Sequence, residues 1–267
     1  MKKYGISLKK SLGQNFLSSD VYANRIVKLS GICKNDVVLE IGTGAGTLTV
    51  ALAETGATVF AIEIDNRMKP ILTERLSNFD NVRLIFNDFL ETDISFLSDL
   101  PRGFKCVSNI PYYITAPIIK KLIFTNFQSL TLMVQKEVGE RLLEPPGSSN
   151  RGFLTVVIQT VAKVEKLLTV PRSAFVPNPE DYSLVLKITK KENFSFNDIS
   201  DLESYWNFVS KAFAQKRKTL LNNLRNMGLT IQQAEVLLGK VGIEKNIRPE
   251  QLDNEQFFKL WILWKQF

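Results

Sequence analysis

Residues Val37–Leu48, VVLEIGTGAGTL, constrain the fold more than any other stretch of this chain. An apolar run ends in an acidic residue, glycines follow at alternate positions, and a helical pattern then begins. That is the signature of a buried strand feeding a tight turn into a helix. Gly42, Gly44 and Gly46 permit positive φ and a close approach of backbone to ligand, which a Cβ would obstruct. The first N–H groups of the helix behind such a turn lack intrahelical partners and suit a carboxylate or a phosphate. Spacing separates the ligand classes. The dinucleotide fingerprint G-x-G-x-x-G would put its third glycine at position 47, which is Thr47.

A second apolar stretch, Ala57–Ile64, reads as the next strand and ends near Glu63. An acid roughly 20 residues past the loop is placed to accept both hydroxyls of a ribose. Glu40 stands two residues before the first glycine, and the resulting E-x-G-x-G-x-G resembles the nucleotide loop of class I S-adenosylmethionine (SAM) methyltransferases. The resemblance implies SAM as cofactor, with Gly42 and Gly44 beneath it and Glu63 on its ribose.

Composition narrows the chemistry. The chain has 267 residues, 45% of them hydrophobic, enough for one large or two smaller cored domains. A net charge of +7 favours an anionic partner such as nucleic acid. Two cysteines without a C-x-x-C, Cys33 and Cys106, fit neither a disulfide framework nor a zinc site. The absence of histidine removes the commonest general base and metal ligand, so no metal is expected. The basic start, MKKYGISLKKSLG, has no apolar core of a signal peptide, and no stretch approaches about 18 uninterrupted apolar residues. A cytoplasmic protein with no membrane partner is the expectation.

Strands are expected near residues 82–86, 105–108, 129–135, 164–170 and 183–189, alternating with helices near 67–76, 136–143 and 153–162. This pattern predicts an α/β fold: a doubly wound, Rossmann-like sheet of the class I methyltransferase type, seven-stranded with an antiparallel edge. Glu144–Arg151, rich in breakers, reads as an exposed loop, and the polar run at 190–204 as a domain boundary. The expected domains are 1–192, binding SAM, and 193–267, helical and RNA-binding.

Two strand ends carry further chemistry. Asp88, after the strand at 82–86, suits a hydrogen bond to an adenine amino group. The strand at 105–108 runs into Asn109-Ile110-Pro111-Tyr112. An exocyclic adenine amine is a poor nucleophile because its lone pair is delocalised into the ring. Two acceptors on its N–H groups would draw it towards tetrahedral geometry. The Asn109 side chain supplies one and the Ile110 carbonyl is placed for the other, while Pro111 stiffens the loop and Tyr112 offers a face to an extruded base. The stretch matches the N-[ILP]-P-Y element of amino-group methyltransferases that act on bases.

Ser11–Leu17 (SLGQNFL), Ser173–Pro179 (SAFVPNP) and Phe213–Leu220 (FAQKRKTL) complete a pattern similar to the ribosomal RNA adenine N6-dimethyltransferase family. The likeness runs from Gly13 to about Phe258, and the tail resembles the small-subunit (16S) branch more than the 23S resistance methylases. By resemblance, Asn15 and Leu17 contact SAM, Asp88 holds its adenine, Asn109 serves both SAM and catalysis, and Phe175 flanks the target base. Asp181-Tyr182 departs from the family's usual valine there. Lys216, Arg217 and Lys218, expected on a helix, read as a grip on the phosphate backbone. The implied function is dimethylation of N6 on two adjacent adenosines of 16S rRNA, by a monomer acting on an immature small subunit. The rivals are a 23S adenine methylase and a non-catalytic RNA-binding assembly factor.

Overall fold

The computed structural model describes residues 15–191, 196 and 198–267. Positions 11–14 of the SLGQNFL motif, and 192–195 and 197 of the expected boundary, lie outside them. The elements in chain order are β1 (Phe16–Leu17), α1 (Asp20–Ser30), β2 (Val37–Ile41), α2 (Thr47–Ala53), β3 (Thr58–Glu63), α3 (Lys69–Arg75), β4 (Val82–Phe86), α4 (Ser95–Ser98), β5 (Phe104–Asn109), α5 (Thr115–Ile123), β6 (Phe127–Gln135), α6 (Lys136–Leu143), α7 (Phe153–Val161), β7 (Ala162–Val170), β8 (Phe175–Val176), β9 (Ser183–Lys190), α8 (Ile199–Ala212), α9 (Leu220–Asn226), α10 (Ile231–Val241) and α11 (Asn254–Trp264). The chain divides into two compact units, one running to Gly139 and resuming over Glu165–Lys190, the other made of Glu140–Val164 and Lys191–Phe267.

The first unit is built on a seven-stranded sheet of order β4-β3-β2-β5-β6-β9-β7. Strands β4, β3, β2, β5 and β6 pair in parallel, and β9 runs antiparallel to β6. This is the doubly wound sheet read from the sequence. Val38, Leu39 and Ile41 of β2 and Val59, Ala61 and Ile62 of β3 are all buried, as befits parallel strands covered on both faces. The chain steps outward from β2 to β4 and then returns to β5. Ligands of open α/β sheets bind at the carboxyl ends of strands where the order reverses in this way.

A second, two-stranded ribbon joins β1 to β8, with Phe16 opposite Val176 and Leu17 opposite Phe175. Two-residue strands have no periodicity to read, and neither is among the strands expected from the sequence. The ribbon is held by packing. Leu17 and Phe175 enter the core with Ala23, Ile26, Val38 and Val107, while Phe16 packs with Met68, Ile71 and Leu72. The Ser18 N–H and hydroxyl both donate to the Ala174 carbonyl, at 2.9 and 3.1 Å.

The glycine turn is shaped by this packing. Gly42, Gly44 and Gly46 have φ of +75°, +54° and +81°. A Cβ on Gly44 would overlap the Phe16 ring, and one on Gly46 would stand 2.9 Å from Leu72 Cδ2. Only at Gly42 is the missing Cβ in ordinary range of its neighbours, 3.6 Å from the Asn109 carbonyl and 3.7 Å from Pro111.

The second unit is mainly helical. Asp198, Thr219, Thr230 and Asp253 each cap a helix, their side chains accepting a backbone N–H three residues on. Its core is aromatic. Tyr205 is fully buried, with Phe196 and Trp261 at ring-centroid distances of 5.5 and 5.6 Å, and its hydroxyl meets the Thr160 hydroxyl at 2.9 Å. The breaker loop at 144–151 is exposed over Pro145–Gly147, but its last residue, Arg151, is fully buried and donates to the Leu252 carbonyl at 2.5 Å and to Asn254 Oδ1. No helix among the described residues is long and apolar enough to cross a membrane.

Gly44→Ala is expected to destabilise the chain by about 2–4 kcal/mol, from a left-handed backbone penalty plus overpacking. Denaturant unfolding should show a smaller loss for the same change in a Phe16→Ala background. Equal losses in the two backgrounds would dissociate the turn from the ribbon.

Candidate active site

Three strand ends meet at the reversal point. β2 and β5 pair only over Val38–Lys105 and Leu39–Cys106, and then diverge. The Ser108 hydroxyl bridges the widening gap by accepting the Ile41 N–H at 2.8 Å. Gly42 and Asn109 stand side by side there, and a Cβ on Gly42 would lie 3.6 Å from the Asn109 carbonyl.

Glu63 closes β3. Its Oε2 accepts the Gly44 N–H at 2.7 Å and the Thr43 hydroxyl at 3.2 Å, and its Oε1 accepts the Asp65 N–H at 2.8 Å. Burial pushes this carboxyl above its ordinary range, while the Asp65 and Gly44 amides and the Thr43 hydroxyl pull it back. The carboxylate thus fixes the glycine turn. Two oxygens offer about four acceptor positions, so capacity remains for a ligand hydroxyl. Glu40, on β2, is also buried, and its Oε2 has no hydrogen-bond partner among the described residues. Burial is the main cause that raises its pKa to about 8, and the charge of Glu63 adds to it.

Asn109 ends β5. Its Nδ2 donates to the Asn15 main-chain carbonyl at 3.0 Å, while its Oδ1 is buried with no partner among the described residues. The amide is therefore turned so that its oxygen is the atom left with no partner, while Nδ2 is engaged through one of its two N–H groups. Pro111 has φ −59° and leads into a short 3-10 turn, Tyr112–Ile114, tied by the Thr115 hydroxyl to the Tyr112 carbonyl at 3.1 Å. The Tyr112 hydroxyl meets the Ser183 hydroxyl at 2.6 Å, and burial raises its pKa against that hydrogen bond. Tyr113 remains 56% exposed at the rim.

One pocket is lined by Asn15, Gly42, Gly44, Glu63, Asn109, Ile110 and Tyr112, so seven of the residues singled out in the sequence converge. Leu17 is a core residue that also lines a small adjoining cavity with Glu40, Gly42 and Asn109. Phe175 stands apart: it is fully buried, opposite Leu17 in the ribbon, and does not line the pocket. Asp88 follows β4, outside the pocket lining, with Oδ1 on the Leu90 N–H at 2.8 Å. Lys216, Arg217 and Lys218 are exposed in the second unit, on a turn between α8 and α9 instead of the expected helix. The cap at Thr219 starts α9 only after them, and the buried Asn223 satisfies the turn by bonding both the N–H and the C=O of Gln215. Sequence reasoning missed the Asn15 carbonyl and Ser183. A main-chain acceptor leaves no mark in the residue types, and a lone serine at a strand start carries no signal.

The sequence model described as ribosomal RNA adenine dimethylase matches residues 5–266. The chain belongs to the ribosomal RNA adenine dimethylase family. Among the family's curated members, one from Thermotoga petrophila named ribosomal RNA small subunit methyltransferase A is 49% identical, covering 100% of this chain and 95% of the relative. A Clostridium acetobutylicum protein of the same name is 38% identical over 97% of this chain and 95% of its own. A solved dimethyladenosine transferase from Plasmodium falciparum superposes with a TM-score of 0.79 at 29% identity, covering 94% of this chain and 98% of that one. The 23S rRNA methyltransferase ErmE superposes at 0.70, with 24% identity over 94% of this chain and 100% of its own, a likeness of fold.

The Glu40 carboxyl makes stability depend on pH in a known direction. Below its ordinary value of 4.5 it is protonated in folded and unfolded chains alike. Between there and about 8 the unfolded chain releases a proton that the folded chain keeps, so stability falls as pH rises, and the slope ends above about 8. Glu40→Gln is expected to flatten this decline, gaining on the parent chain from pH 5 to pH 8. Urea unfolding across that range checks it, and parallel curves would mean that Glu40 ionises freely in the fold.

Proposed function

We propose that this chain transfers methyl groups from SAM to N6 of two adjacent adenosines in small-subunit (16S) rRNA during ribosome assembly, giving N6,N6-dimethyladenosine. The observation that carries the reading is the buried, unpartnered Oδ1 of Asn109 in the pocket beside the glycine turn. An unsatisfied buried acceptor costs about 1–3 kcal/mol, and an incoming N–H donor removes that cost.

The residues fit the donor. Gly42 leaves the pocket floor clear of a Cβ, Glu63 keeps acceptor capacity for a ribose hydroxyl beyond the three bonds it already accepts, and Asp88 follows β4, where it is proposed to take the adenine amine. When bound, SAM supplies an electrophilic methyl on a sulfonium centre that carries its own leaving group. The chain's residues orient the acceptor. Asn109 Oδ1 takes one N–H of the target amine and the Ile110 carbonyl takes the other, which localises the nitrogen lone pair for in-line attack. Tyr112 gives the extruded base a face worth about 1–3 kcal/mol of stacking. With no histidine in the chain, the amine's proton is released to solvent after attack. Orientation of this kind supplies up to about 7–11 kcal/mol of a barrier.

Residues 1–192 are proposed to form the SAM-binding domain and 193–267 the helical RNA-binding domain, with Lys216, Arg217 and Lys218 on the phosphate backbone. A monomer in the cytoplasm, acting on an immature small subunit, completes the reading. The small-subunit target is favoured over 23S RNA by the names of relatives up to 49% identical across the whole chain. The intact Asn109-Ile110-Pro111-Tyr112 stretch disfavours a non-catalytic assembly factor.

Asn109→Ala is expected to cut methyl transfer to immature subunits by about 10²–10³-fold, the scale of one lost transition-state hydrogen-bonding group, with RNA binding little changed. Asn109→Asp, nearly isosteric, should fail as well, because its second oxygen would face the Asn15 carbonyl. Full turnover by either variant in a labelled-methyl assay would remove Asn109 from the mechanism. Replacing Lys216, Arg217 and Lys218 together by Ala should weaken RNA binding and reduce the slope of log affinity against log salt by about 2–3. An unchanged slope would put the RNA grip elsewhere.

A further inference from the structure

The turn after β4 converges on one ammonium. Lys121 Nζ, on α5, donates to the carbonyls of Phe89, Leu90 and Thr92 at 2.7, 2.8 and 2.6 Å, and lies 4.9 Å from the centre of the Phe89 ring. Three bonds use all the donors an ammonium has. The turn is also closed from within. Asp88 Oδ1 takes the Leu90 N–H at 2.8 Å, and the Asp88 carbonyl takes the Thr92 hydroxyl at 2.7 Å and the Thr92 N–H at 2.9 Å. Asp88 is thereby fixed through one carboxylate oxygen and through its carbonyl. Its Oδ2 has no hydrogen bond among the described residues.

The charges explain why a cation stands there. The carboxylates of Asp88, Glu91 and Asp93 all act on Lys121, and charge-assisted bonds to carbonyls are stronger than neutral ones. α5 begins at Thr115, directly after the Tyr112–Ile114 turn. The helix that carries Lys121 is therefore continuous with the loop that carries Asn109 and Tyr112.

We infer that Lys121 is a positioning residue that holds the 87–92 turn so that Asp88 Oδ2 is presented to the exocyclic amine of the donor's adenine, setting a preference for adenine over a 6-oxopurine. This rests on the SAM reading above. An amine donates to Oδ2, whereas the oxygen of a 6-oxopurine would set acceptor against acceptor. A neutral side chain at 121 cannot serve three carbonyls, and the turn and its carboxylate lose their common register.

The test is calorimetric titration of the full-length chain with S-adenosylhomocysteine and S-inosylhomocysteine, reading the ratio of their dissociation constants. The parent chain should prefer the adenosyl form by about tenfold or more, the scale of one hydrogen bond to a charged group. Lys121→Gln should bring the ratio to within about threefold, the scale of a hydrogen bond weakened by a displaced carboxylate. Lys121→Arg, which keeps charge and donors, should retain the preference. Adding Lys121→Gln to Asp88→Ala should change the ratio no further. Thr92→Val loosens the same turn without touching the lysine, and should narrow the ratio even if Lys121→Gln does not fold. A parental ratio in Lys121→Gln and Thr92→Val, with the ratio lost in Asp88→Ala, overturns the role of Lys121 and leaves the adenine contact standing. A parental ratio in Asp88→Ala overturns the adenine contact and the inference with it. Failure to bind either ligand by the parent chain overturns the SAM reading itself.

Discussion

The Asn109 carboxamide is committed at one end and open at the other. A primary amide is ambidextrous, with a donor and an acceptor of similar size, and only its surroundings decide which one a ligand meets. Here a main-chain carbonyl takes Nδ2, and the acceptor is left buried and unpaired. The rest of the first unit can be read as the apparatus for that choice. The Asn15 carbonyl stays in place because Phe16 and Leu17 are anchored in two separate hydrophobic clusters and because the Ser18 N–H and hydroxyl are bound to Ala174. The amide itself stays in place because Asn109 is still paired with Met133 of β6 at the end of β5.

The same anchoring accounts for the glycines. A turn of this kind is ordinarily explained by what a ligand needs, and Gly42 is the glycine of the three whose missing Cβ would meet its neighbours only at ordinary contact distance, in the lining of the pocket. At Gly44 and Gly46 the missing Cβ atoms make room for Phe16 and Leu72, side chains of the protein. Glu63 plays a similar double part: the amides it collects around the turn are the reason the turn keeps its shape. Packing alone accounts for two of the three glycines, and the motif is compact in sequence because its parts touch one another.

That compactness made much of the site legible from residues alone. The run from Val37 to Leu48 combines a fully buried strand, an acid, alternating glycines and a helix, and each feature has a physical reason that excludes most alternatives. The Asn109-Ile110-Pro111-Tyr112 stretch was legible as a strand end that enters a site, and all four residues line the pocket. Other parts were not. An apolar residue such as Phe175 satisfies a core and a base platform equally well on paper, and only its pairing with Leu17 puts it wholly inside. The basic cluster at 216–218 has helix-compatible residues, yet the cap at Thr219 and the buried amide of Asn223 make it a turn. The partner of Asn109 is a carbonyl that every residue type possesses, so no pattern could have announced it.

The β1–β8 ribbon ties residues 16–17 to residues 175–176. Its two strands sit at opposite ends of the first unit's sequence, so closing it brings together points separated by most of the sheet. Loop closure over such a span is entropically costly until the intervening structure exists. During synthesis, a nascent chain that has not yet extended past residue 176 has a glycine turn and an Asn109 but no strand against which Phe16 and Leu17 can lie. Such a chain also lacks the Ala174 carbonyl that holds Ser18, so the second of the two anchors on the Asn15 segment is supplied from the far end of the sheet's sequence.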